Sequence, residues 1–133
     1  MRAQLLAAAL VFAPAAASAQ AVTLSATLAG GTGGDADGSG TASVKIDGAE
    51  VCYDLSVKDI APATMAHIHK GAAGANGPVV VPFKAPDASG KVAACATANP
   101  DAVKDILANP AGYYVNVHNA DFPGGAIRGQ LGR

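Results

Sequence analysis

The sequence predicts an all-β protein, an antiparallel β-sandwich of seven to eight strands with one short helix. Three observations carry that expectation. Apolar and polar residues alternate in one short segment after another, the pattern of strands with a single buried face. Gly, Pro, Asn and Asp punctuate these segments at short intervals, as the turns of a sandwich require. Hydrophobic residues make up 50% of the chain, yet aromatics only 5%, and tryptophan is absent. The core must therefore be built from small side chains, a supply that suits a thin sandwich.

The chain opens with Met1-Arg2, an apolar run over residues 5–13 and the small-residue pattern Ala17-Ser18-Ala19. That is the layout of a secretory signal peptide over residues 1–19, cleaved before Gln20. The run is too short to cross a bilayer and no stop-transfer segment follows, so no membrane span is expected after the leader is removed. Residues 20–133 are enough for one domain with a modest core. A periplasmic or secreted location follows. The formal net charge of −1 becomes more acidic with the loss of Arg2, and no basic cluster exists, which argues against nucleic acid as a partner.

Within the domain, residues 22–28 alternate without a slip and form the opening strand. Residues 30–40 hold six glycines and two aspartates. Asp35 and Asp37 lack further calcium ligands at loop spacing, so a flexible connection is expected. Residues 41–47 place Ala42, Val44 and Ile46 on one face, Asp47-Gly48 turns the chain, and Val51, Tyr53, Leu55 and Val57 continue the alternation as a hairpin. Pro62 breaks the chain before a strand bearing His67 and His69. Residues 71–78 are a loop by composition, and Val79-Val80-Val81 is a short buried strand ended by Pro82. A strand over residues 91–97 follows. Asn99-Pro100 then reads as an N-cap with proline at the first helical position, and Val103, Ile106 and Leu107 supply the apolar face of a helix that Asn109-Pro110 stops. A strand over residues 113–118 and another over 126–131 close the domain.

Cys52 and Cys95 are the two cysteines of the chain. In an oxidising compartment they are expected to pair, for about 4 kcal/mol in the chain-entropy view of a loop of this length. On the hairpin register Cys52 points away from the core, so the bridge clamps the outside or an edge of the sheet. The rival reading, a soft metal site using both sulfurs, is disfavoured because they lie far apart in sequence and neither has a histidine beside it.

All three histidines fall in two stretches, Ala66-His67-Ile68-His69-Lys70-Gly71 and Tyr113-Tyr114-Val115-Asn116-Val117-His118. Period-two alternation puts His67 and His69 on one face of their strand and Tyr114, Asn116 and His118 on one face of theirs. If the strands pair, every imidazole of the protein gathers on one patch, away from the apolar side. Three imidazoles suit a metal ion, and copper is favoured by the affinity order among divalent ions. Met65 shares the His67 face and is a candidate soft ligand or a packing residue. Tyr114 and Asn116 are candidates for hydrogen bonds that orient the ligands. Ser43, Ser56 and Ser89 sit in no nucleophile pattern, so hydrolytic catalysis finds little support.

The histidine stretch with Ala72-Ala73-Gly74 and Asn76-Gly77-Pro78-Val79-Val80-Val81, then Tyr114-Val115-Asn116-Val117-His118, Pro123-Gly124-Gly125 and Ile127-Arg128-Gly129-Gln130-Leu131, resembles the CHRD, or chordin-type, domain family over nearly all of residues 20–133. That family usually carries an acidic residue where Ala126 stands and often a threonine where Asn119 stands; neither change touches a histidine. The resemblance implies a secreted immunoglobulin-like sandwich, found as repeats in animal extracellular antagonists of growth factors and as single domains in bacteria. It does not by itself imply an activity. More distantly, His67-Ile68-His69 and Val117-His118 are similar to the copper-ligand strands of copper-zinc superoxide dismutases. Those enzymes use further histidines for zinc, which this chain lacks, and their active-site arginine lies in a region roughly similar to that of Arg128. The expected function is copper binding for storage, delivery or protection, with efficient dismutation not expected. The alternative is a non-catalytic module that binds another extracytoplasmic protein and whose histidines are structural.

Overall fold

The structure is a computed structural model that describes residues 7–9 and 20–133. The expected leader and its cleavage point lie outside the described residues, apart from 7–9. Among the described residues, no helix is long and apolar enough to cross a membrane.

Among the described residues eight strands form: β1 (Val22–Ala29), β2 (Ser39–Asp47), β3 (Glu50–Lys58), β4 (Ala63–Lys70), β5 (Val79–Phe83), β6 (Lys91–Thr97), β7 (Tyr113–Asn119) and β8 (Ile127–Gln130). The α-helix α1 (Pro100–Ala108) and a 3-10 turn (Pro110–Gly112) precede β7. The strands join in one antiparallel sheet in the order β5-β4-β7-β8-β1-β2-β3-β6. The expected sandwich is thus a single sheet curled until its ends nearly meet. The curl is evident from Tyr53 on β3 and Phe83 on β5, which come from opposite ends of the strand order yet stack at 3.9 Å between ring centroids. Such a pair contributes about 0.5–1.5 kcal/mol beyond the area it buries. The Tyr53 hydroxyl also accepts the Lys84 N–H at 2.7 Å, fastening the seam.

Alternation along the strands fills the interior. Leu24, Val44, Tyr53, Ile68, Val115 and Ile127, the apolar-face residues of six strands, all lie in one buried cluster. Each aliphatic side chain so buried contributes about 1.5–3 kcal/mol relative to exposure. The β2–β3 hairpin closes in two residues between the paired Asp47 and Glu50. Its first central position is Gly48 at φ 59°, which glycine adopts at no steric cost. Helix α1 begins where expected: the Asn99 side chain accepts the N–H groups of Asp101 and Ala102, and Val103 and Ile106 are buried. It crosses from the edge strand β6 to β7 inside the sheet.

Two expectations need correction. Strand β5 does not end at Pro82 but continues to Phe83, which is buried. Proline is tolerated there because β5 is an edge strand and owes no N–H to a second neighbour. Residues 30–40 are not a free connection either. The Asp35 N–H donates to the Ala126 carbonyl at 2.9 Å and the Gly34 N–H to Gly31 at 2.9 Å, so the segment folds into turns held against the chain just before β8.

Cys52 and Cys95 stand directly opposite each other on β3 and β6, with their sulfurs 2.06 Å apart. The disulfide fastens the edge strand on the outer face of the sheet, where the hairpin register places it.

Candidate metal centre

Strands β4 and β7 pair with Met65 opposite His118, His67 opposite Asn116 and His69 opposite Tyr114. This register places His67, His69 and His118 on one face. One ring nitrogen from each lies within 4.8 Å of the others. The His67 Nδ1 to His118 Nε2 distance is 3.1 Å, and His69 Nε2 lies 3.4 Å from His118 Nε2. Nitrogens about 3 to 4 Å apart are what a shared ion at about 2.0–2.1 Å requires.

The histidine face is not the solvated sheet surface that alternation implies. Every residue of β7 is buried, on both faces, with His69 8% and His118 6% exposed. Two loops lie against this face, and each supplies a main-chain carbonyl to one ring. His69 Nδ1 donates to the Gly77 carbonyl at 2.9 Å, and His118 Nδ1 donates to the Pro123 carbonyl at 2.9 Å. A carbonyl only accepts, so each of these rings in its neutral form carries its proton on Nδ1 and leaves Nε2 as an acceptor, and the His118 Nε2 acceptor is met by His67 Nδ1 at 3.1 Å. The two Nε2 atoms face each other across 3.4 Å in a buried space. Burial, first of all, lowers the proton affinity of His67 from its ordinary 6.5, with the neighbouring His118 and His69 adding to the effect. Burial likewise lowers that of His69, opposed by the Gly77 hydrogen bond and reinforced by His118 and Arg128.

The remaining expected residues divide by what they touch. Tyr114 stacks on His69 with its ring 9° from parallel and 5.0 Å away, and its hydroxyl accepts the Gly77 N–H at 3.0 Å. Gly77 thus receives from His69 and donates to Tyr114. A Cβ at this position would lie 1.5 Å from the Lys70 carbonyl oxygen, so only glycine fits. Arg128 sits over the Tyr114 ring, 4.7 Å from its centroid, and donates to the Ala75 carbonyl and the Asn76 side chain at 3.0 and 2.8 Å. Its guanidinium holds the loop that covers His69. Asn116 donates to the Gly124 carbonyl at 3.2 Å, beside the Pro123 that orients His118, while its buried Oδ1 has no partner among the described residues. Met65 is half exposed.

Sequence reasoning missed the orienting carbonyls of Gly77 and Pro123. Main-chain acceptors leave no mark in residue type, although the Asn76-Gly77-Pro78 turn and its position beside the histidine strand were visible. It also missed the cluster on the far side of Lys70. Tyr113 donates a hydrogen bond to Asp105 of α1, and Lys70 pairs with the same carboxylate at 3.5 Å. Burial, then Asp105, pushes the Tyr113 hydroxyl up to about 12, while the Tyr113 hydrogen bond chiefly lowers Asp105. The cluster anchors the end of β4 to the helix.

The CHRD domain model matches residues 17–131, which takes in all eight strands, the helix and the three histidines. The chain belongs to the CHRD domain family. No curated protein and no solved structure matches it. The CHRD fold here gathers three imidazoles, two of them oriented by loop carbonyls.

Proposed function

We propose that this CHRD domain is an exported metal-binding protein that holds a copper ion on His67 Nδ1, His69 Nε2 and His118 Nε2, for storage, delivery or protection rather than turnover. The observation that carries this reading is the convergence of three ring nitrogens, with His118 Nε2 3.1 Å from His67 Nδ1 and 3.4 Å from His69 Nε2, a spacing that one shared ion can bridge. Depressed proton affinities work in the same direction, since a metal competes only with protons for a neutral ring. Three imidazoles suit copper, zinc and nickel, and copper heads the affinity order. The loop carbonyls that hold His69 and His118 resemble the outer hydrogen bonds that fix ligand tautomers in metal sites.

Dismutation is the weaker extension. A copper-zinc pair needs more histidines than the three present. Arg128, the cation that would attract superoxide, has its guanidinium engaged with the loop. Export to the periplasm or medium agrees with the disulfide and with the leader pattern. It predicts an intact mass beginning at Gln20 with no titratable thiol.

The deciding experiment is titration of the purified protein with Cu(II) against a competing chelator, beside His118→Ala. The wild type is expected to take up a single equivalent and the variant none. Equal uptake by both would leave the histidines as structural residues of a protein-interaction module. Parallel titrations with Zn(II) and Ni(II) rank the metals.

A further inference from the structure

The sheet reaches its histidine cluster through an irregularity. The pairing of β4 with β7 shifts between Ala63 and Met65, so that Ala63 lies opposite Asn119 and Met65 opposite His118, with Thr64 as the extra residue. Bulges of this kind re-aim the side chains beside them and are frequent at functional sites. Thr64 Oγ1 donates to the His118 carbonyl at 3.3 Å, which fastens the bulge to the backbone of a cluster histidine. The residue this re-aims is Met65. From there the alternation is regular, so Met65, His67 and His69 leave β4 on one face. Met65 is the direct cross-strand partner of His118, a relation that sets the two Cβ atoms about 4.5–5.5 Å apart.

Met65 is 50% exposed, and only Val79 shares that condition among the large hydrophobics of the described residues. A methionine at this register is therefore not a core residue. His67, two residues from Met65 on the same face of β4, is the least buried of the three histidines.

We propose that the Met65 thioether is a fourth ligand that makes the three-histidine site selective for Cu(I). This rests on the reading of that site as a copper site and adds to it a ligand and an oxidation state. A thioether is a soft, neutral donor that favours Cu(I) over Cu(II) and Zn(II). Its unbranched chain, with three rotatable bonds, closes on an ion without movement of the sheet.

Met65→Leu tests the assignment, because it keeps the volume at a half-exposed position and removes only the sulfur; circular dichroism checks the fold. In anaerobic competition with a Cu(I) chelator the variant is expected to lose affinity on the order of ten- to a hundredfold, the range seen when a metal site loses a supporting group. Its Cu(II) affinity is expected to fall far less. X-ray absorption of the Cu(I)-loaded wild type should show a sulfur scatterer beside nitrogen that the variant lacks. Equal Cu(I) affinity in the two proteins, an equal loss for both oxidation states, or nitrogen-only scattering in the wild type overturns the inference and leaves the three-histidine reading standing. A wild type that binds neither ion overturns both.

Discussion

Two cross-strand clusters in this sheet each gather three potential metal ligands: His67, His69 and His118 on β4 and β7, and Glu50, Cys52 and Cys95 on β3 and β6. They differ in what the surrounding chain does to the donor atoms. Loops lie against the histidines, a carbonyl fixes the proton of two of the rings, and three ring nitrogens converge. The sulfurs sit at an outer edge with Glu50 and Cys95 exposed, and each donor is already bonded to the other. Proximity of ligand types is therefore not what separates a candidate site from a clasp. Orientation, burial and donors not already bonded to each other are.

The sharpest way to break this contrast is on the histidine side. His118→Ala removes the nitrogen nearest to both other rings and should abolish competitive copper uptake, while the disulfide still forms, as thiol titration would report. On the other side, the double variant Cys52→Ala/Cys95→Ala should lower unfolding stability by about 2–5 kcal/mol, read by denaturant melts, and leave copper affinity unaltered. A matching loss of copper would mean that the two clusters are coupled through the sheet.

The pH dependence distinguishes them more gently. Burial depresses the proton affinity of His67 and His69, so the folded chain binds fewer protons than the unfolded chain between those depressed values and 6.5. The stability they contribute is fully present above 6.5 and is lost as pH falls from there through the folded values. Copper competes with protons on the folded chain, so its affinity should hold down to the depressed values of His67 and His69 and fall below them, whereas the disulfide contribution should not change. Melts and metal titrations from pH 7.5 downward check both, with metal-free protein as the reference.

The smallest effect belongs to Arg128→Met. It removes the cation that helps to depress His69 and frees the loop at Ala75 and Asn76. His69 should titrate at a higher pH by nuclear magnetic resonance, and copper affinity should weaken modestly. An unmoved His69 titration would show that Arg128 acts only on the loop.

Much of this fold was legible because its signals are local. Period-two alternation set the buried faces of β1, β2 and β3, Gly48 set the hairpin, and Asn99-Pro100 set the start of α1, each through the conformations that a few adjacent residues allow. The gathering of the histidines was legible as a condition, since alternation puts each on a definite face but does not say which strands pair. Only the tertiary structure decided that β4 lies beside β7, that the curled sheet brings Tyr53 to Phe83, and that residues 71–78 and 120–126 lie against the histidine face. Those are contacts between residues far apart in the chain, set by packing and by main-chain groups that every residue type carries. For that reason the sequence alone determined which side chains this protein has available for chemistry, and the fold decided which of their donor atoms face one another.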